Sequence, residues 1–157
     1  MAWAKNGTPS TSATPSITDL TAKKFNIFLI NTHQNSGVPE EAIRFNNNSN
    51  SVYAWRYQQN GLTDTTGVSD TSINNNPSAM SYEDFNVVYT VSISGQEKLV
   101  LGWLYIGSAG AGFAGQRTEF VGKFVPSPDA DITRIDILNV NTGDYSSNSN
   151  LSALGTD

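Results

Sequence analysis

Residues 85–94 constrain the fold most, because apolar residues fall on every second position from Phe85 to Ile93 and mostly polar residues lie between them. Successive side chains of a β-strand point to opposite faces of its sheet, so this alternation predicts a half-buried strand. The next run, residues 98–106, is apolar on both faces and follows a tight turn at residues 94–96. The pair therefore predicts a β-hairpin whose second strand is central in a sheet.

Further short runs of β-branched and aromatic residues predict more strands, at residues 24–30, 42–45, 52–57, 118–125, 132–138 and 150–154. Asn, Ser and Thr make up 50 of the 157 residues, and these residues disfavour helix. Clusters of Gly, Asn, Asp and Pro separate the runs. The pattern predicts an all-β, antiparallel sandwich of jelly-roll type over residues 17–157, preceded by an extended arm over residues 1–16. Long loops are predicted at residues 58–72, 74–83 and 107–116.

Charge and hydropathy exclude several classes of partner. The net charge is −5 and the nine Lys and Arg residues are scattered, which argues against nucleic acid as a partner. No apolar stretch of about 18 residues is present, and the first residues run into Thr, Ser and Pro, so neither a membrane span nor a secretory signal is expected. Cysteine is absent, which excludes thiol catalysis and disulfides.

No motif predicts an enzyme. Residues 110–115 have the spacing G-x-G-x-x-G, but a strand pattern follows where a dinucleotide site needs a helix. His33 is the single histidine, and no G-x-S-x-G motif accompanies it. Acidic pairs occur at residues 40–41, 83–84 and 129/131, and a glycosidase needs two such groups across a cleft. Their polar surroundings favour solvated turns instead. We expect no catalytic residue.

Oxygen ligands for a metal are offered by residues 129–131 and 46–50, although no EF-hand loop is formed. Calcium that stiffens a loop stays a minor alternative. The expectation is that the protein has no cofactor and no metal site.

Aromatic and charged residues inside the strands are the more informative candidates. Tyr53, Trp55 and Tyr57 share one face of a strand, where they form either a glycan-contact platform or, as the favoured interpretation, packing in a core or subunit interface. Trp103 belongs to the same group of interface or structural candidates. So do five charged residues that make either cross-strand and inter-subunit ion pairs or a solvated sheet face: Arg44, Arg56, Arg117, Glu119 and Arg134.

Five segments together resemble small β-rich virion proteins of tailed phages and related prokaryotic viruses: residues 43–47 (IRFNN), 53–57 (YAWRY), 96–100 (QEKLV), 117–123 (RTEFVGK) and 132–136 (ITRID). The resemblance implies a non-enzymatic capsid decoration (cement) protein, or a head or tail fibre subunit. It implies a homotrimer bound to the major capsid or other virion proteins. Such a protein is made in the host cytoplasm and located in the virion.

Two further expectations accompany this resemblance. The arm at residues 5–16 is expected to reach across a neighbouring subunit, and the loops are expected to make outward contacts. A carbohydrate- or receptor-binding sandwich module, with host-surface glycan as its partner, is the alternative function, since the same architecture hosts lectins.

Overall fold

The computed structural model describes residues 2–75, 83–107, 110–112 and 114–157, and these contain strands and no helix. No helix long and apolar enough to cross a membrane occurs in that part of the chain. The strands are β1 (Ala4–Lys5), β2 (Ser10–Thr11), β3 (Ser16–Ile17), β4 (Phe25–Gly37), β5 (Glu41–Phe45), β6 (Tyr53–Gln59), β7 (Thr65–Asp70), β8 (Ile73–Asn74), β9 (Glu83–Val91), β10 (Lys98–Ile106), β11 (Gln116–Phe124), β12 (Ile135–Asn139), β13 (Gly143–Tyr145) and β14 (Asn150–Thr156).

The strands form two antiparallel sheets. The large sheet has the order β1-β14-β4-β9-β10-β11-β6-β7, with β13 beside β4 and β2 beside β14, and the small sheet has the order β3-β12-β5-β8. The predicted all-β sandwich is confirmed, whereas its jelly-roll topology stays a prediction. The predicted hairpin is also confirmed, because β9 pairs with β10 through a turn in which Gly95 has a φ of 75°.

The core lies between the sheets and is built from aromatic and branched side chains. Phe45 of the small sheet and Phe124 of the large sheet have ring centroids 5.9 Å apart, and Phe124 stacks on Tyr53 at 4.9 Å. Gly102 leaves room for the Phe120 ring, since a Cβ at that position would come within 2.2 Å of it. The sheets are therefore closely packed along this line of rings.

The N-terminal arm lies on its own chain. β1 and β2 pair with β14, and β3 pairs with β12. Asn6 is buried; its side-chain amide donates to the Thr21 carbonyl and to Asn26 Oδ1, and its Oδ1 accepts the Thr21 N–H. The arm thus closes one end of the sandwich.

One loop expectation needs correction. Residues 58–72 are not one long loop, because β7 lies within them and pairs with β6 as the edge of the large sheet. The sequence of β7 is mostly polar and lacks apolar alternation, which is why the pattern missed it. The predicted loops at residues 74–83 and 107–116 fall largely or partly outside the described residues.

Candidate functional site

The surface of the large sheet that points away from the small sheet is apolar and exposed, and we call it the outer face. Alternation places every second side chain of β9 and β10 on it. Its exposed apolar side chains are Leu29, Val68, Phe85, Tyr89, Leu99, Leu101, Trp103, Tyr105 and Val121. They come from β4, β7, β9, β10 and β11, so the apolar surface runs across most of the sheet.

Strand register arranges these side chains in rows. Leu101 lies opposite Tyr89 on one side and Val121 on the other. The next outward-facing residue of β10 is Trp103, which is 47% exposed. Its ring meets the Tyr89 ring edge to face, with centroids 6.0 Å apart. Aromatic and branched pairs of this kind stabilise a sheet. Here they also make the exposed surface continuous.

Two depressions interrupt the outer face near β6. One has a volume of about 590 Å³ and lies over Ala54, Val68 and Leu99. The other has a volume of about 270 Å³ and sets Trp103 beside Gln58 and Asp64. An apolar floor with polar groups at one end suits a docking segment or a small ligand.

Charged residues border the apolar surface along β11 and β6. Arg56 Nη1 lies 2.9 Å from Asp64 Oδ2. Arg117 and Glu119 are both exposed on β11, opposite Tyr105 and Trp103 respectively, and neither forms an ion pair with another described residue. The outer face therefore carries charges of both signs at its border.

The predicted interface residues divide between the two sheets. Four of them, Arg56, Trp103, Arg117 and Glu119, come together on the outer face. Arg44 and Arg134 lie at the small sheet instead. Arg44 Nε donates to the Thr71 carbonyl at 3.1 Å, and the Arg134 guanidinium binds both oxygens of Asp136 at 2.8–2.9 Å. These two arginines are used within the chain.

The aromatic triplet of β6 lies on the inner side of the sheet. Tyr53 is buried, and its hydroxyl donates to the Phe45 carbonyl and accepts the Phe45 N–H, both at 3.0 Å. Trp55 and Tyr57 are half-buried and stack at 5.4 Å, and Trp55 Nε1 donates to Asp70. These contacts are made within the chain, in line with packing as the favoured interpretation. The buried Tyr53 ring has no face exposed to a glycan. Among the predicted site residues, Trp103, an interface or structural candidate, is the aromatic with an exposed ring.

The acidic pairs are distributed differently from the expected solvated turns. Glu41 and Asp84 meet between the sheets and are 0% and 1% exposed. Asp129 accepts hydrogen bonds from Lys98 Nζ and the Gly95 N–H, and Lys98 is fully buried. Asn46 Oδ1 accepts the N–H groups of residues 133 and 134. Asp129 and Asn46, one from each of the two segments with oxygen ligands for calcium, thus have partners within the chain.

The remaining motifs are easily placed. His33 Nε2 lies 2.9 Å from Asn31 Oδ1 at the end of the sheet. The described glycines of the G-x-G-x-x-G segment lead into β11, a strand, as the sequence indicated. Within the described ranges no three His, Asp or Glu side chains are grouped as metal ligands. The outer face brings together four of the predicted interface residues, Arg56, Trp103, Arg117 and Glu119, and is the candidate functional site.

Comparison with protein-family models, with curated proteins and with solved structures finds no match to this chain. The functional argument therefore starts from the geometry of the outer face and from the chemistry of the side chains on it.

Proposed function

We propose that the chain is a non-enzymatic structural subunit that associates with copies of itself through the outer face, most specifically as a capsid decoration protein of a virion. The observation that carries self-association is the exposed apolar surface on β9, β10 and β11. The virion, its major capsid protein as partner and a location in the particle come from the sequence resemblance at residues 43–47, 53–57 and 117–123.

Hydrophobicity supports burial of this face in an assembly. The sequence of β10 is apolar on both sides, and the small sheet covers one of them. With strands about 4.8 Å apart and a rise of about 3.3 Å per residue, the apolar part measures roughly 20 by 20 Å. That is about half of the ~800 Å² that each partner contributes to a standard interface. A polar rim supplies the remainder in such interfaces.

A second copy of the chain is the occupant that the charges favour. Arg117 and Glu119 lie two residues apart on β11, exposed and without an ion pair in the described chain. Around a symmetry axis, the arginine of one copy meets the glutamate of the next, so the surface is complementary to itself. Contact of this face with itself gives a twofold dimer, whereas a homotrimer, the expectation from the resemblance, needs the arginine of each copy to meet the glutamate of the next around a threefold axis.

Native mass tests self-association directly. Size-exclusion chromatography with light scattering is run over a hundredfold range of concentration on the wild type, Leu101→Asp and Leu62→Asp. Both substitutions introduce the same charge at an exposed leucine, but Leu62 lies in the β6–β7 connection, outside the strands that carry the outer face. The wild type and L62D are expected to form one closed oligomer, and L101D a monomer. A monomeric wild type at every concentration contradicts self-association.

Carbohydrate binding is the second candidate, and the depression beside Trp103 favours it. That depression combines an exposed indole with Gln58, Asp64 and Glu119, the groups that stack on and hydrogen-bond to a sugar. A glycan array separates the two functions. Binding that is lost in Trp103→Ala while the oligomer persists supports a glycan site. An array without signal beside an intact oligomer supports assembly alone.

A further inference from the structure

Five polar side chains form a closed group between the sheets, which we call the buried polar cluster: Thr32, Glu41, Asn75, Asp84 and Asn86. Glu41 comes from the small sheet, Thr32, Asp84 and Asn86 come from the large sheet, and Asn75 follows β8. All five are between 0% and 1% exposed. Two carboxyl groups are thus held in an environment where an unpaired charge is costly.

The donors within the buried polar cluster are already used. Glu41 Oε1 accepts the side-chain amides of Asn75 at 2.7 Å and Asn86 at 2.8 Å. Asp84 Oδ1 accepts the Thr32 N–H at 3.1 Å and the Thr32 hydroxyl at 2.6 Å. The same hydroxyl oxygen lies 3.4 Å from Glu41 Oε2, so the two carboxyl groups are close neighbours.

Three acceptor oxygens are left over. No hydrogen-bond partner from the described residues reaches Asn75 Oδ1, Asn86 Oδ1 or Asp84 Oδ2. Turning over either amide does not help, because its oxygen then faces Glu41 Oε1, another acceptor. Buried polar atoms in proteins are nearly always paired, so three unpaired oxygens around two carboxyl groups indicate a missing positive partner.

The chain does not supply that partner from its own described cations. None of the ion pairs among the described residues involves Glu41 or Asp84. Both carboxyl groups are fully buried, so a negative charge on either is left without a compensating cation from the described residues. Either a proton or a metal cation relieves this situation. One proton supplies one hydrogen-bond donor, whereas three oxygens lack a partner. A single metal cation coordinates several oxygens at once.

We propose that the buried polar cluster is a binding site for a hard divalent cation, with Ca²⁺ as the preferred ion. Carboxylate and amide oxygens without nitrogen or sulfur ligands are the donor set of Ca²⁺. Mg²⁺ demands a near-octahedral shell and keeps several waters, which a closed site accommodates less readily. Asp84 Oδ2, Asn75 Oδ1 and Asn86 Oδ1 are the assigned ligands, and Glu41 balances the charge while it orients both amides.

The metal content of the full-length protein is the first test. Because the cluster is closed, the protein is unfolded in urea with EDTA, refolded with Ca²⁺ or with EDTA, desalted, and measured by elemental analysis. We expect about one Ca²⁺ per chain after refolding with Ca²⁺. A cation that binds only the folded state raises Tm by about 5–10 °C at a hundredfold excess over Kd. Thermal scans at increasing Ca²⁺ and Mg²⁺ follow that shift.

Two Asp→Asn variants locate the site. Asp84→Asn removes one charge and places an amide donor beside the unpaired asparagine oxygens, so it is expected to lose the bound Ca²⁺ and the Tm response. Asp144→Asn makes the same change at an exposed position outside the cluster and is expected to retain both. If D84N does not fold, Glu41→Gln replaces it. A wild type that binds no metal and shows no Tm response to either ion overturns the proposal, as does a D84N variant that still binds Ca²⁺.

Discussion

On β9 the two faces of the large sheet carry the reverse of the usual composition, unlike the rest of the sheet, whose inner face is largely apolar. On β9 the inward side chains include Asp84, Asn86 and Thr90, whereas the outward ones include Phe85 and Tyr89. Apolar side chains normally turn towards the core and polar ones towards water. The inverted arrangement shows that this chain by itself covers the more polar side of β9. The apolar side is what an assembly would be expected to cover.

The largest difference between the faces is expected from leucines on one strand. Leu104 is 1% exposed on the inner side of β10, and Leu101 is 42% exposed on the outer face. Leu104→Ala should lower the free energy of unfolding by about 2–5 kcal/mol, because it leaves a cavity. Leu101→Ala should change the free energy of unfolding of the dilute monomer by less than about 1 kcal/mol. Urea unfolding measures both, and equal losses contradict the assignment of faces.

Two tyrosines, Tyr53 on the inner side and Tyr105 on the outer face, test the same comparison through the loss of a hydroxyl group. Tyr53→Phe removes the hydroxyl that serves both the N–H and the carbonyl of Phe45, and should cost about 1–3 kcal/mol. Tyr105→Phe on the outer face should change the free energy of unfolding by less than about 0.5 kcal/mol. Burial also raises the pKa of Tyr53 to about 12. Absorbance titration should find a tyrosine that ionises near that pH in the wild type and is missing from the titration of Y53F.

The sign of the Tyr53 contribution follows from the direction of that shift. A pKa that is higher in the folded than in the unfolded state means that the protonated hydroxyl is stabilised by folding. The contribution is complete below the ordinary tyrosine pKa of about 10 and is lost as pH rises towards 12. The difference in stability between wild type and Y53F should therefore shrink over that interval.

Ion pairs give the smallest and most pH-dependent contrast. Lys98 is buried at the start of β10, and its hydrogen bond, with help from the Gly95 N–H, lowers the pKa of Asp129. Asp129→Asn should therefore destabilise the protein near neutral pH, and the difference from wild type should vanish as pH falls below the usual carboxyl range near 4. Glu97→Gln breaks the exposed pair with Lys123 and should have little effect at any pH. Parallel curves for D129N and wild type would falsify the coupling.

Sequence predicted the main strands well, because residues 85–94 alternate strongly and residues 98–106 form a long apolar run after a tight turn. It could not tell which side of β9 the chain covers, since alternation marks the apolar side without saying what lies on it. Nor could it bring Glu41 and Asp84 together, because pairing between distant strands sets their distance. The polar surroundings of Glu41 predict a solvated turn, whereas Glu41 lies at the first position of β5.

The four outer-face residues show the same limit. Charge or size inside a strand makes these residues candidates in the sequence. The register of β6, β10 and β11 then brings them onto one surface: Arg56, Trp103, Arg117 and Glu119. Arg134 is also a charged residue in a strand pattern, yet its guanidinium binds the Asp136 carboxylate within the small sheet. Residue type alone does not distinguish these outcomes.

Solvent access to Trp103 tests the central claim most directly. In a Trp3→Phe, Trp55→Phe background Trp103 is the single indole, and acrylamide quenching of its emission is followed while the concentration rises through the association range. If the outer face is the contact between copies, quenching should fall and the emission should shift to the blue as the oligomer forms. An oligomer in which Trp103 stays as accessible as in the dilute chain contradicts the account.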